Sequence, residues 1–199
     1  MKIEVLGHAA VKLSGEKVIY VDPFHIDEDY HDADYIFITH DHFDHYDKES
    51  IDKVKKEDTK LIVPSCLKEK ENNLVVEPNK EYELDGLKFE TVRSYNIGKQ
   101  FHPKEKDYVG YNICLEDEFF YIMGDTDRTP ETEMVKTNYC FVPIGGTYTM
   151  NADEAANYIN FLKPKVAIPI HYGQVTGSDE DAKEFQEKVD KNIKVEIKI

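Results

Sequence analysis

Apolar residues gather in short segments along the first third of the chain, and turn-forming residues such as Ser14 and Gly15 separate them. Segments of this composition between turn signals are typical of β-strands. They predict strands over residues 3–6, 10–13, 18–21 and 35–38. Ile51 and Val54 then have the spacing of a short amphipathic helix, and residues 61–63 are predicted to form the next strand.

The middle of the chain contains a predicted β-hairpin. Asp85 and Gly86 stand between apolar segments at residues 82–84 and 87–92, and two residues of this type favour a tight turn between antiparallel strands. Further strands are predicted over residues 111–115, 119–123 and 139–142. Residues 166–170 are apolar throughout, which predicts a buried strand.

Two helices are predicted in the last third of the chain. Asn151 is a suitable N-cap for the first, because apolar positions between residues 152 and 162 follow helical spacing. Pro164 ends that helix. Ser178 and Asp181 have the spacing of a capping box for the second helix, whose apolar face continues to Val189.

The strands therefore come in runs, and helices follow each run. This order favours two sheets packed face to face with helices on the outside. We expect a mixed α/β (α+β) fold, a four-layer αββα sandwich. Since 199 residues are about the size of one ordinary domain, a single domain over residues 1–199 is expected.

Charge and composition exclude several classes of partner. Asp and Glu outnumber Lys and Arg by 40 to 25, and the formal net charge of −15 disfavours nucleic-acid binding. Cys66, Cys114 and Cys140 are far apart in apolar stretches, as is usual for buried thiols in a reducing compartment. No apolar run is long enough to predict a membrane span. We expect a cytoplasmic protein with a small-molecule partner, and homo-oligomer formation stays open.

The densest chemical signal lies just after the predicted strand that ends near Thr39. His40, His42, Asp44 and His45 place four imidazole or carboxylate groups within six residues, where they serve no packing purpose. Side chains two apart in an extended chain share a side, so His40 and His42 can converge on one cation. A turn would direct Asp44 and His45 toward a neighbouring cation. Two adjacent divalent metal sites are predicted, with Zn as the best fit and Mn, Fe or Ni as other options.

This His-x-His-x-Asp-His loop resembles the signature of the metallo-β-lactamase superfamily, whose members combine it with an αββα fold and a two-metal hydrolytic site. Other matches follow in chain order. Asp22 is similar to an early aspartate that orients a ligand, Asp125 to the metal-bridging aspartate and His171 to the last histidine ligand. His102 matches the remaining ligand, because it is the only histidine between the loop and Asp125.

The resemblance implies a ligand set for each metal: His40, His42 and His102 for one, and Asp44, His45 and His171 for the other, with Asp125 between them. Residues 7–11, 143–146, 148–150 and 169–172 are similar to the branch that contains ascorbate 6-phosphate lactonase. That likeness implies that His8 approaches the metals. Tyr148 can direct its hydroxyl toward the substrate. A role for His8 in capping backbone groups and a packing role for Tyr148 stay open.

The implied function is a metal-dependent hydrolase in which a hydroxide shared by two metal ions attacks an ester, a lactone or a phosphodiester. Asp44 and Asp125 would hold the ions, and anionic or phosphorylated molecules are among the candidate substrates. One alternative is a di-iron redox or oxygen-binding protein, although such members generally place Glu where this chain has His42. Another is a non-catalytic protein that holds metals for ligand binding, which the complete ligand set disfavours.

Four other polar residues carry weaker signals. His25 and His31 fall in an acidic stretch between residues 22 and 34, where a solvated loop is expected. Lys99 and Lys104 flank the candidate ligand His102 and could meet an anion. Most exposed lysines contact only water, so water is the expected neighbour of both.

Overall fold

The first sheet has six strands in chain order, and the computed structural model describes residues 1–67 and 73–199. Its strands are β1 Lys2–Gly7, β2 Ala10–Ser14, β3 Val18–Val21, β4 Ala33–Phe37, β5 Lys55–Pro64 and β6 Asn73–Val76. The β1–β2 and β2–β3 pairs are antiparallel, whereas β3 to β6 pair in parallel. Parallel neighbours need long return connections, so the segments after β3 and β4 have room for functional loops.

The second sheet has seven strands in the order β13-β12-β11-β10-β9-β8-β7. They are β7 Glu81–Leu84, β8 Leu87–Arg93, β9 Val109–Leu115, β10 Glu118–Ile122, β11 Tyr139–Pro143, β12 Val166–Ile170 and β13 Lys194–Val195. Strands β7 to β10 are antiparallel, and β10 to β13 are parallel. The predicted hairpin is confirmed, because Asp85 and Gly86 have the positive φ angles (50° and 84°) that a two-residue turn favours.

In the described part of the chain, three α-helices accompany the sheets: α1 Lys48–Val54, α2 Ala152–Leu162 and α3 Asp179–Lys188. Short 3-10 turns lie at Ser65–Leu67, Lys104–Lys106 and Thr132–Met134. Helix α2 is 11 residues long. Among the described residues, no helix has the length and apolar character needed to cross a membrane.

The helix boundaries follow the predicted capping residues. Asn151 Oδ1 accepts a hydrogen bond from the Glu154 backbone N–H, and the Glu154 carboxylate accepts one from the Asn151 N–H, each at 2.9 Å. Helix α2 ends before Lys163, whose φ of 56° is left-handed, and Pro164 prevents its continuation. The capping pair predicted for α3 is also present.

Hydrophobic contacts arrange the sheets and helices in four layers. In the core between the sheets, the Phe37 ring of β4 lies 5.0 Å from the Phe89 ring and 4.9 Å from the Tyr111 ring. A second cluster joins α2 and α3 to the outer face of the second sheet. A third places Ile51 and Val54 of α1 on the outer face of the first sheet. The αββα fold predicted from the sequence is confirmed.

Three strands differ from the prediction. β5 begins directly after α1 rather than at residue 61, because Lys55 pairs with Ala33 before a register shift brings Lys60 beside Tyr35. Residues 55–60 are mostly charged, so their hydropathy predicts no strand. The prediction also lacks β6, which has four residues, and β13, which has only two.

The two ends of the sandwich carry different connections. The loops after β1, β3, β4, β10 and β12 reach one end, which we call the site end. The turns after β2, β7 and β9 meet at the other end, the turn end, where Gly15, Gly86 and Glu116 line one groove. The predicted metal ligands therefore lie on loops of the site end.

Candidate metal centre

Side chains from six separate segments meet at the site end. The segments contribute His8 after β1, Asp22 after β3, residues 40–45 after β4, His102 between β8 and β9, Asp125 after β10 and His171 after β12. The candidate ligands are buried, apart from His42, which is half-buried. The fold thus brings residues that are distant in sequence into one enclosed site.

His40, His42 and His102 form the first group of candidate ligands, which we call the triple-histidine cluster. His42 Nδ1 lies 3.1 Å from His40 Nε2 and 3.1 Å from His102 Nε2. The ligand atoms of the cluster lie within 4.8 Å of one another. This spacing allows three imidazole nitrogens to share one cation.

Asp44, His45 and His171 form the second group, the aspartate cluster. Asp44 Oδ2 lies 3.7 Å from His45 Nε2 and 3.7 Å from His171 Nε2. His8 is fully buried, and its Nε2 forms a 3.0 Å hydrogen bond with Asp44 Oδ2. Through this bond His8 positions the Asp44 carboxylate.

Asp125 lies between the two clusters. Its Oδ2 atom is 3.2 Å from His102 Nε2 and 3.0 Å from His171 Nε2, and its Oδ1 atom is 3.3 Å from His45 Nε2. One carboxylate therefore faces imidazoles of both clusters. A bridging ligand requires this arrangement, since a carboxylate has two oxygens that can each contact a cation.

Several atoms of this centre have no hydrogen-bond partner in the described structure. His45 Nε2, His171 Nε2 and Asp125 Oδ1 are buried and unpartnered, although they lie close together. Buried polar atoms are normally paired, so a convergent set of unpaired atoms requires another partner. Imidazole nitrogens and carboxylate oxygens are ligands of divalent metals, and these residues therefore fit a metal ion.

Asp22 fixes the orientation of the His45 ring. Asp22 Oδ2 accepts hydrogen bonds from His45 Nδ1 at 2.7 Å and from the Thr39 hydroxyl at 2.6 Å, and Oδ1 accepts one from the Thr39 N–H at 2.8 Å. A proton on Nδ1, donated to Asp22, leaves Nε2 as the ring atom available to a metal ion, 3.3 Å from Asp125 Oδ1. Asp22 is thus placed where a residue that orients a metal ligand must lie.

Thr39 is part of the centre although no sequence pattern assigned it a role. Its hydroxyl donates to Asp22 and lies 3.0 Å from His40 Nδ1, which can donate to it. That contact leaves His40 Nε2 free for the triple-histidine cluster. Gly124 provides the space, because a Cβ atom there would lie 3.0 Å from the Thr39 Cβ. The position of Thr39 directly before the ligand loop is the signal that could have indicated it.

Tyr108 and Asp41 support the start of the ligand loop. The Tyr108 hydroxyl donates to Asp41 Oδ1 at 2.6 Å, and the Tyr108 ring lies 5.0 Å from the His40 ring. Tyr108 is buried, so the contact restrains the loop from its inner side. The two residues are 67 positions apart in sequence, and no local pattern could have indicated the pair.

Four residues of the centre have a left-handed backbone. The φ angles of His8, Asp22, His102 and His171 are 48°, 47°, 53° and 59°. This conformation is uncommon for residues other than glycine, and it clusters at functional sites. The fold therefore accepts local backbone strain where it directs these side chains into the centre.

Burial favours the neutral form of the His40 and His42 imidazoles. Burial lowers the pKa of His40 well below its ordinary value, and the neighbouring His45 lowers it further. Burial likewise lowers the pKa of His42, with a further contribution from His102. A neutral imidazole is the form that binds a metal ion, so no proton has to leave either ring at pH 7.

The aspartate cluster and Asp125 have the opposite electrostatic character. Burial opposes ionisation of Asp125, but His171 and His45 outweigh it and hold the pKa of Asp125 well below its usual range. Contacts with His171 and His8 lower the pKa of Asp44 in the same way despite burial. Although burial opposes the effect, Asp125 raises the pKa of both His45 and His171. These ionised carboxylates attract positive charge into the centre.

A cleft of about 530 Å³ opens onto the metal centre. Tyr148 lines it beside Phe101, and the centroids of the two rings are 4.7 Å apart. The structure therefore places Tyr148 in the cleft wall, where a substrate would contact it. Its role in the reaction stays a prediction.

The weaker candidates lie outside the metal centre. His25 and His31 are exposed, and His31 Nδ1 hydrogen-bonds a backbone carbonyl at 2.9 Å. Lys99 and Lys104 each form an ion pair with an acidic side chain. The expectation that these lysines contact only water is therefore wrong, because each has a carboxylate partner.

The chain is similar to a known family and to several known proteins. A family model described as a beta-lactamase superfamily domain matches residues 2–171, and the chain belongs to that superfamily. A UPF0173 protein of Pyrococcus furiosus is 34% identical over 203 residues, which cover 96% of this chain and 91% of the relative. A UPF0173 metal-dependent hydrolase of Pyrococcus horikoshii is 29% identical and covers 99% of this chain and 96% of its own length.

Solved structures show the same architecture. A candidate metal-dependent hydrolase from Parabacteroides distasonis matches with a TM-score of 0.86 at 30% identity, over 98% of this chain and 91% of that chain. A candidate Zn-dependent hydrolase of the metallo-β-lactamase superfamily from Thermotoga maritima has a TM-score of 0.67 at 24% identity, over 98% and 96% of the two chains. The similarity to the Thermotoga maritima structure shows that the two chains share a fold.

The relatives and the cluster of His and Asp side chains agree. They support a metal-dependent hydrolase of the metallo-β-lactamase superfamily that binds divalent metal and acts on a small molecule. The narrower likeness to the ascorbate 6-phosphate lactonase branch stays a prediction.

Proposed function

We propose that this protein hydrolyses an ester, lactone or phosphodiester bond of a small molecule, using two divalent metal ions at the site end. The triple-histidine cluster would hold one ion and the aspartate cluster the other. The observation that supports the proposal most is the position of Asp125, whose oxygens lie 3.0 to 3.3 Å from imidazoles of both clusters. A single carboxylate in that position can contact two cations.

Zinc is the metal that we propose first. Imidazole and carboxylate groups are common protein ligands of Zn²⁺, and both groups are present in this centre. Manganese, iron and nickel accept the same groups, and affinity alone does not distinguish them. The native ion therefore has to be measured.

Bound in this centre, divalent ions would lower the pKa of a water molecule from about 15.7 toward about 7 and polarise the substrate oxygen that gains charge. The protein supplies position and negative charge. Asp44 and Asp125 are ionised at neutral pH because neighbouring histidines hold the pKa of each carboxyl low despite burial. Asp22 and Thr39 hold the histidine rings in the orientation that ligands require.

Metal analysis of protein purified without chelator tests the proposal. We expect close to two transition-metal ions per chain, and hydrolysis of model esters, lactones or phosphodiesters that chelator abolishes and added metal restores. One ion or fewer at saturating metal supply would contradict the two-metal arrangement. A fully loaded protein that cleaves none of these bonds would contradict the hydrolase. An oxygen-sensitive visible spectrum of that protein would support the di-iron alternative.

We also propose that residues 1–199 form one domain and that the protein works in the cytoplasm. The core between the two sheets takes side chains from both, which supports a shared interior. Cys66, Cys114 and Cys140 are free thiols, as is usual in a reducing compartment. Two separately stable fragments after limited proteolysis would contradict the single domain, and recovery of the protein from a secreted fraction would contradict the location.

A further inference from the structure

We infer that the substrate carries an uncharged apolar group, aryl or branched alkyl, beside the bond that is hydrolysed, and that this part of the substrate bears no phosphate. The inference rests on the proposed hydrolase function and narrows its substrate class. Among the substrates considered in the sequence analysis, it favours neutral esters and lactones over anionic or phosphorylated molecules.

The cleft beside the metal centre has an apolar wall. Phe43, Phe101, Tyr148 and Val175 line it together with the candidate ligands. Phe43 is 69% exposed, Phe101 43% and Val175 38%, in a chain with a formal net charge of −15. Exposed apolar side chains that gather around a cleft mark a binding surface, whereas scattered ones do not.

Contacts within the protein hold this wall in place. The Phe101 ring meets the Tyr148 ring edge to face at 4.7 Å, and the Phe43 ring meets the Phe24 ring edge to face at 6.0 Å. The Asn96 side chain donates a hydrogen bond to the Tyr148 carbonyl. The wall therefore exists before a ligand binds, and little ordering has to accompany the burial of an apolar group.

The cleft lining contains no fixed cation. Apart from the candidate metal ligands, its charged residue is Asp41, and no Lys or Arg lines it within residues 1–67 and 73–199. A phosphate away from the reacting bond would need Arg, Lys or several N–H donors. Lys99 and Lys104, which flank the ligand His102, are ion-paired with other side chains, and Lys99 also donates to the Thr149 carbonyl. Neither lysine lines the cleft, and each already has a carboxylate partner.

These features favour one class of substrate. An apolar group gains free energy by contact with the aromatic wall, roughly in proportion to the area it buries. A remote anionic group in the same place would find no Lys or Arg partner in the described lining.

Three 4-nitrophenyl esters test the inference on metal-loaded protein: the acetate, the phenylacetate and the hemisuccinate. They share one leaving group and differ in an added aryl group or an added carboxylate. After correction for spontaneous hydrolysis, we expect kcat/KM for the phenylacetate to exceed that for the acetate by about 30-fold, the size of effect that an apolar pocket gives. The hemisuccinate should be cleaved more slowly than the acetate.

A matched pair of variants assigns the preference to the cleft. Phe101→Ala should reduce the preference for the phenylacetate to about threefold, mainly through a higher KM, because binding rather than chemistry is lost. Phe161→Ala is the control, since Phe161 is similarly exposed (47%) but lies on α2 outside the cleft lining. It should keep the parent preference, and circular dichroism of both variants should match the parent.

Binding to metal-free protein separates this inference from the hydrolase proposal. Saturation-transfer NMR should show 4-phenylbutan-2-one bound to the parent, weaker in Phe101→Ala, and should show no binding of the anionic ketone levulinate. Equal or faster cleavage of the hemisuccinate, or binding of levulinate in preference to the aryl ketone, would overturn the inference and leave the hydrolase intact. If the protein binds the aryl ketone but cleaves no ester, the proposed hydrolase function is wrong and the apolar binding site is still supported.

Discussion

The triple-histidine cluster and the aspartate cluster lie side by side, but their surroundings differ. The first contains only imidazoles, and its half-buried His42 borders the cleft. The second is buried, contains the carboxylate of Asp44, and is supported by His8 and Asp22. The two clusters therefore differ in burial and in supporting contacts, although Asp44 as well as His42 lines the cleft. We expect the ion of the aspartate cluster to bind more tightly.

The largest effect is expected for Asp125→Asn, because Asp125 contacts both clusters. The amide keeps the shape but loses the charge and one good acceptor. Hydrolysis should fall by more than about a hundredfold, the upper end of the effect of losing a residue that only orients a ligand. One ion should also dissociate more readily.

Circular dichroism of Asp125→Asn should be unchanged, since a core of this size folds without metal support. An unfolded variant would make the carboxylate structural, and full activity would rule out a bridging role.

Variants that each remove one ligand should weaken different ions, depending on the cluster that is changed. His102→Ala should weaken the ion of the triple-histidine cluster by about 100-fold or more, above the range for residues that only orient a ligand, and leave the aspartate cluster occupied. His171→Ala should instead weaken the tighter ion. Competition with a chromophoric chelator measures both affinities. Unchanged affinity in His102→Ala would mean that this histidine is no ligand, and loss of the same ion in both variants would remove the distinction between the clusters.

Asp22→Asn should weaken the ion of the aspartate cluster without removing a ligand. Asparagine tolerates the left-handed backbone of this position, so the change acts on the hydrogen bond to His45 rather than on the fold. We expect about 10- to 100-fold lower metal affinity, the usual cost of losing a partner of a ligating histidine. If affinity at the triple-histidine cluster falls instead, the orienting role assigned to Asp22 is wrong.

His8→Asn should have a smaller effect on the same cluster. The substitution removes the 3.0 Å hydrogen bond to Asp44 and keeps a residue type that accepts a φ of 48°. A hydrogen bond to a charged group contributes about 1.5 kcal/mol, so metal affinity should fall by about tenfold. A loss as large as that of His171→Ala would identify His8 as a ligand rather than a positioning residue.

The smallest effect is expected for His31→Ala, which serves as the control for all histidine substitutions. His31 is exposed, and its hydrogen bond reaches a backbone carbonyl far from both clusters. Metal content should equal that of the parent, whereas His42→Ala should lose the ion of the triple-histidine cluster. Comparable metal loss in the two variants would refute the ligand assignment drawn from the family resemblance.

The sequence allowed much of the fold to be predicted, because most strands and both long helices carry clear local signals. Two examples are the hairpin turn at Asp85 and Gly86 and the start of α2 at its N-cap, Asn151. In each, the residue types at that position are enough to predict the local structure. Strand β5 was predicted too short because its first half is held by pairing with Ala33, a contact that hydropathy does not encode. For β5, the pairing partner rather than the local composition determined what was missed.

The residues of the candidate site also fall into two groups, those that the sequence indicated and those that it did not. The ligand loop at residues 40–45 was visible because its groups are adjacent in sequence, and Asp125 and His171 were named through the family resemblance. Thr39 and Tyr108 support the site through contacts that depend on the folded chain. Tyr108 contacts Asp41 at the start of the ligand loop although the two residues are 67 positions apart, and no local sequence pattern indicates that contact.

The separation of the sandwich into a site end and a turn end has a practical consequence. Asp85 and Gly86 form an exposed two-residue turn at the turn end. Insertions at exposed loop tips are tolerated best, so a surface tether or a fluorophore belongs in this turn. The strand that follows it has seven residues and spans on the order of 20 Å. A protein immobilised through that turn would present its cleft to the solution, with the whole length of the sheet as a spacer.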